Sequence, residues 1–144
     1  MGDLEIQISR VIERYKTAVM ARNVDTFIAL YSQDVRVFDA WTTWSYNGAT
    51  AWREAVRQWF TSTAEETVEV SAEDIQIMGG QDVAVLSAII TYASLAPDGK
   101  KLRAMQNRLT WALARQGGVW QIVHEHTSAP IDFDGMRAIL TRAA

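Results

Sequence analysis

Between Thr67 and Ser128 the chain alternates long β-prone runs with short turn signals, and this pattern constrains the fold more than any other feature. Thr67 to Met78 ends at Gly79-Gly80, and Val83 to Ser94 ends at Pro97-Asp98-Gly99. Lys101 to Arg115 ends at Gly117-Gly118, and Val119 to Ser128 closes the series. Runs rich in β-branched and aromatic residues, punctuated by Gly and Asp-Gly turns, predict hairpin-connected strands. Four in succession make an antiparallel meander. Strands this long must twist and curl.

The first part of the chain has the other period. Leu4, Ile8, Ile12, Tyr15 and Val19 recur at helical spacing, which predicts an amphipathic helix over about residues 3 to 22, with Asn23 as its stop. A second short helix carries Phe27, Leu30 and Tyr31, with Asp25 favourably placed in its first turn. Val35, Val37 and Asp39 then alternate with Arg36, Phe38 and Ala40 as a short strand. Trp41 to Gly48 reads as a loop or hairpin. The helical period returns from Ala49 through Trp52, Val56, Trp59 and Phe60. In the tail after Pro130, Met136, Ile139 and Leu140 suit a short last helix. Helices segregated from an antiparallel sheet define the α+β class. The expectation is one domain over residues 1–144: three N-terminal helices packed on a curved, four- to five-stranded, mostly antiparallel sheet, with a conical cavity between the two layers.

Composition narrows the function. A chain of 144 residues buries roughly 70% of its unfolded surface, enough for a core and a cavity. The formal charge is −3 and no basic tract occurs, which argues against nucleic acid as a partner. Without cysteine there is no thiol nucleophile, disulfide or zinc-thiolate site. The start lacks the basic and apolar regions of a signal peptide, and no apolar run approaches the ~20 residues that span a bilayer. A cytoplasmic protein without membrane contact is expected. No Gly-rich phosphate loop or other cofactor fingerprint is present, so no cofactor is expected. Six tryptophans are hard to bury fully because each N–H needs a partner. Trp41, Trp44 and Trp59 are therefore read as walls of a cavity.

Two places carry candidate chemistry. Asp39 follows Val37 on one strand face, just before the aromatic loop Trp41-Thr42-Thr43-Trp44. Burial there would raise its pKa toward a range useful to a general base. The competing reading is an exposed strand-end carboxylate capping a turn. The last strand, Trp120 to Pro130 (WQIVHEHTSAP), holds both histidines. Strand alternation puts Trp120, Ile122, His124 and His126 on one face, inward by the character of Trp and Ile. It puts Gln121, Val123, Glu125 and Thr127 on the convex face, where a second copy could pack. The histidines admit three readings: ordinary hydrogen-bonded residues, a metal set with Asp39, or a polar-ligand pocket with Arg108 of the neighbouring strand. Metal is the weakest, since His-x-His on a strand is a short motif.

The order of elements resembles the nuclear transport factor 2-like or SnoaL-like superfamily, which includes the ketosteroid isomerases. YSQDVRVFDAW (Tyr31 to Trp41) resembles its second-helix-to-first-strand junction, and WQIVHEHTSAP resembles the last strand of its SnoaL-like members. The same ending is similar to that of the calcium/calmodulin-dependent protein kinase II association domain. The resemblance implies a cystatin-like cone and a homodimer. It also implies a proton-shuttling Asp at the end of the first strand, matched by Asp39, and an oxyanion-donating Tyr on the first helix, matched by Tyr15. Isomerases of that group add an acid on the third strand. Here the corresponding position is Asn107 or Arg108, and neither is an acid. The expected function is a small-molecule pocket protein. As an enzyme it would move a proton beside a carbonyl, with Asp39 as base, Tyr15 as donor, and Asn107, Arg108, His124 and His126 orienting the substrate. The alternative is a non-catalytic oligomerisation or ligand-binding module.

Overall fold

The computed structural model describes residues 2–142; the two ends of the 1–144 domain expectation lie outside the described residues. Helix α1 (Asp3–Ala21) buries Ile8, Ile12, Tyr15 and Val19 of the stripe read from the sequence, together with Val11 and Ala18, while Leu4 is only partly buried. It stops at Arg22, whose left-handed backbone (φ 50°) turns the chain. Asn23 then caps the next helix, its side chain accepting from the Thr26 N–H. That helix, α2 (Val24–Ile28), is shorter than expected. Tyr31 belongs not to it but to the first residue of β1 (Tyr31–Phe38), and this places its side chain over the sheet. A two-residue strand, β2 (Tyr46–Asn47), and helix α3 (Ala49–Ser62) follow.

The meander is β3 (Thr67–Gly79), β4 (Val83–Leu95), β5 (Lys101–Gln116) and β6 (Val119–Ser128). At the first of its turns the Gly79 backbone adopts φ 153°, and a Cβ there would lie 2.4 Å from the Val83 carbonyl oxygen. Only glycine closes that hairpin. The six strands form one sheet in the order β2-β1-β6-β5-β4-β3. All neighbours are antiparallel except β1 and β6, which run parallel. The sheet is thus wider than the four to five strands expected. The tail is not helical: β7 (Ile131–Asp132) and β8 (Arg137–Ala138) form a separate small hairpin. Among the described residues no helix is long and apolar enough to cross a membrane.

The three helices cover one face of the sheet, and the core lies between. Along β4 the inward residues are Ala84, Leu86, Ala88 and Ile90, along β5 Leu113, Trp111 and Leu109, and along β6 Trp120 and Ile122. The same three strands then turn polar at one common end, through Tyr92 and Ser94, Asn107, and Glu125 and Thr127. The apolar end is packed solid and the polar end stays open.

Strand β6 departs from simple alternation. Ala112 pairs with His124 while its neighbour Leu113 pairs with Ile122, so Val123 is an extra residue, a β-bulge. A one-residue insertion exchanges the faces of everything beyond it. Trp120 and Ile122 point inward as read from the sequence, but past Val123 it is Glu125 and Thr127 that turn inward. His124 and His126 turn to the outer face.

Ile122 is fully buried beside this bulge, whereas Val119, on the same strand, is more than half exposed. Ile122→Ala should cost about 3 kcal/mol of unfolding free energy, and Val119→Ala less than about 0.5 kcal/mol, both readable by urea denaturation.

Candidate functional site

At the polar end lies a cavity of about 820 Å³. Tyr15 of α1 reaches it from the helical layer, and Trp52 and Trp59 reach it from α3. The sheet supplies Tyr92, Asn107, Glu125 and Thr127, and Asp39 enters just past the end of β1. The exposed residues Trp41, Thr42 and Arg103, together with Leu140 of the tail, fringe its mouth. The tail is held there by Gln106 N–H donating to the Leu140 carbonyl (2.7 Å) and by the Arg142 N–H on the Gln106 side chain (2.6 Å).

Asp39 is half-buried. Thr127 Oγ1 donates to its Oδ1 at 3.1 Å and itself accepts from the Ala40 N–H at 2.9 Å. Burial raises the Asp39 pKa, while Thr127 and the backbone N–H groups of Trp41 and Ala40 pull it partly back. A carboxylate so held is fixed in orientation and more basic than one in water.

Tyr15 is buried, and its hydroxyl lies 2.7 Å from that of Tyr92. Either oxygen can be the donor, so one of the two hydroxyl protons is used between them and the other is free for a ligand. Burial raises the pKa of both phenols, Tyr15 well above its ordinary value, and both remain neutral donors. The Asn107 side chain supports the Tyr92 oxygen and offsets part of that rise.

Glu125, only 2% exposed, is the residue that strand alternation misassigns. Tyr31 Oη donates to its Oε1 at 2.6 Å, and Trp111 Nε1 donates to the same oxygen at 2.9 Å. Among the described residues no donor reaches Oε2. Burial pushes the carboxyl up to about 7, against the pull of the two donors. The tryptophan sits directly across the strand pair from Glu125, so one ladder position supplies both the acid and its donor.

The remaining expected site residues divide. Asn107 faces the cavity; Arg108, next to it, faces outward and is exposed, with its Nε on Ser128 Oγ at 3.0 Å. The choice between the two is fixed by β5 parity, since Asn107, Leu109 and Trp111 share the inner face. His124 and His126 do not line the cavity, because of the bulge. His124 Nδ1 bonds the Arg36 carbonyl oxygen at 2.7 Å, and both imidazoles stand edge-on to Phe38. They cannot clamp a substrate with Arg108 inside the cone. No cluster of three or more His, Asp or Glu placed to hold a metal occurs among the described residues. Trp59 and the half-exposed Trp41 line the cavity, but Trp44 is 96% exposed and borders a shallow outer pocket with Phe38 and His126.

Because the Glu125 carboxyl titrates at about 7 in the folded chain and near 4.5 unfolded, the folded state holds a proton that the unfolded chain releases. This group's contribution to stability is therefore greatest at low pH and is lost as pH rises through about 7. Glu125→Gln, which keeps an acceptor for Tyr31 and Trp111, should be more stable than the wild type by about 2 kcal/mol at pH 8. The gap should close at pH 5. Urea unfolding at the two pH values reads both; a gap that ignores pH would contradict the assignment.

Comparison with known proteins agrees with the fold. An NTF2-like protein of unknown function from Pseudomonas putida KT2440 is 26% identical, with a TM-score of 0.84 over 97% of this chain and 96% of that one. Aln2 from a Streptomyces species superposes with a TM-score of 0.79 at 12% identity, covering 89% and 91% of the two chains. A Xanthomonas campestris protein described with the calcium/calmodulin dependent protein kinase II association domains gives 0.73 at 18% identity, over 85% of each chain. No curated protein sequence matches. The SnoaL-like domain model matches residues 8–132, from within α1 to the end of β7, and the chain therefore belongs to the SnoaL-like domain family.

Proposed function

We propose that the chain binds a compact, partly apolar, oxygenated molecule in this cavity and moves a proton beside its carbonyl group, in chemistry of the isomerase, cyclase or dehydratase type. One observation carries the reading: Asp39 and the Tyr15–Tyr92 pair open into the same cavity. A general base and a neutral donor on one cavity are the two groups that enolisation needs. The base removes a proton from carbon, and the donor stabilises the charge that develops on oxygen.

In this reading Asp39 is the base, its basicity raised by burial and its direction set by Thr127. The hydroxyl proton left free on the tyrosine pair meets the substrate oxygen. Asn107, the inward-facing one of the two positions that the resemblance matches to the isomerases' acid, contributes through Tyr92 instead of sharing the oxyanion as a second acid. Trp52 and Trp59 supply the apolar wall that keeps water from the carbanion. The reaction that fits is a proton shift by one base and one neutral donor network, not steroid isomerisation with paired acids.

Exchange of α-hydrogens for deuterium in a panel of cyclic and aryl ketones, followed by NMR in D₂O, tests this. The protein should accelerate exchange of at least one ketone that it binds. Asp39→Asn should lower the rate by about 10²–10⁴-fold with binding retained, and Tyr15→Phe should lower it by about ten-fold or more. Ketones that bind without faster exchange would sink the catalytic reading and leave a ligand-binding module.

A further inference from the structure

We propose that the oxygenated ligand of this cavity is also an organic cation: a compact aromatic or cyclic molecule bearing a protonated amine that sits against Glu125, within the field of Asp39, with its ring against the aromatic wall. This rests on reading the cavity as a ligand site and not on the proton transfer.

Three observations carry it. The first is the charge inside. Asp39 and Glu125 both line the cavity, and Arg103 is the only basic residue among the described lining. Arg103 lies at the exposed rim, and its guanidinium is already taken by Glu66 through two bonds of 3.0 and 2.8 Å. An anionic ligand would meet two carboxylates and no free cation.

The second is the hydrogen-bond inventory. Asn107, 7% exposed, has its Oδ1 buried with no partner. Glu125 receives both of its donors on Oε1, which leaves Oε2 open. Glu125 Oε2 is thus the unfilled acceptor on the cavity lining, and a buried acceptor left empty is costly. The other buried polar atom without a hydrogen-bond partner among the described residues, Trp52 Nε1, is a donor close to Tyr31. An ammonium carries three donors and no acceptor, the complement of this surface.

The third is the wall. Trp41, Tyr46, Trp52, Trp59 and Tyr92 line the same space. Aromatic faces attract a cation and stack a flat ring equally well. The raised pKa values of Asp39 and Glu125 fit this arrangement, since a proton on either carboxyl and a bound cation compete for the same negative charge.

The groups facing Glu125 are Tyr15 from α1, Tyr31 from the start of β1, Asp39 just past the end of β1, Tyr92 from β4 and Trp111 from β5. None is a cation, and the phenols stay neutral below pH 9. The pH dependence of binding therefore belongs to the two carboxyl groups, since an alkyl ammonium keeps its proton up to about pH 10.

Calorimetric titration with three probes of one shape tests the proposal: 2-(2-naphthyl)ethylamine, the corresponding alcohol, and 2-naphthylacetate. At pH 8 the amine should bind at least ten-fold more tightly than the alcohol, and the carboxylate weakest of all. The amine's advantage over the alcohol should shrink several-fold at pH 5.5 and in Glu125→Gln or Asp39→Asn at pH 8. An alcohol or carboxylate that binds as tightly as the amine overturns the cation assignment while leaving the cavity a ligand site. An amine advantage untouched by both substitutions also overturns it. Failure of all three probes to bind overturns it together with the pocket reading.

Discussion

The cavity depends on one extra residue in the last long strand. Val123 bulges out of the β5–β6 ladder, and from that point the strand shows its opposite face to the helices. Without the bulge, two histidines would enter the cone and Glu125 would lie outside. With it, Glu125 stands opposite Trp111 and in reach of Tyr31, and Thr127 stands in reach of Asp39. The acid, its two donors and the positioning of the strand-end aspartate all follow from one change of parity.

A buried carboxyl of this kind is held rather than tolerated. Burial alone would keep Glu125 protonated and inert, and the phenol and indole N–H offset part of that penalty with charge-assisted hydrogen bonds. The residue titrates near neutrality as a result, balanced between a proton and a charge. Tyr31 and Trp111 are core residues in every other respect. Trp111 packs on Tyr15 (ring centroids 5.5 Å apart) and Tyr31 on Trp52 (6.1 Å). The packing that stabilises the fold is thus the packing that sets the chemistry of the cavity floor.

The helix stripe of α1, the turns of the meander and the α+β class were legible because each rests on local periodicity or turn chemistry. Asp39 was legible as a candidate for a similar reason, a carboxylate beside an aromatic loop, and so was Tyr15 through the resemblance. The face of β6 was not. Nothing in Ile122-Val123-His124 marks a bulge, because no glycine or proline interrupts the run, and the insertion exists only relative to the partner strand. A usable signal lay across strands. β4 and β5 both turn polar at the end where Tyr92 and Asn107 sit, and a partner strand whose inner face is to match would bring Glu125 and Thr127 there. The choice between Asn107 and Arg108 likewise needed the register against Leu109 and Trp111. Tyr31 was hidden because its helical spacing continued past the end of α2.

The site as a whole turns on Glu125 facing the cavity floor as a carboxyl poised near neutral pH. Its most direct test is a titration of the side-chain carboxyl carbon by NMR in protein labelled with ¹³C-glutamate, with the signal assigned by its loss in Glu125→Gln. The bulge-directed cavity requires a midpoint at about 7. A midpoint near the ordinary 4.5 would place Glu125 on the outer face of the sheet and contradict that cavity.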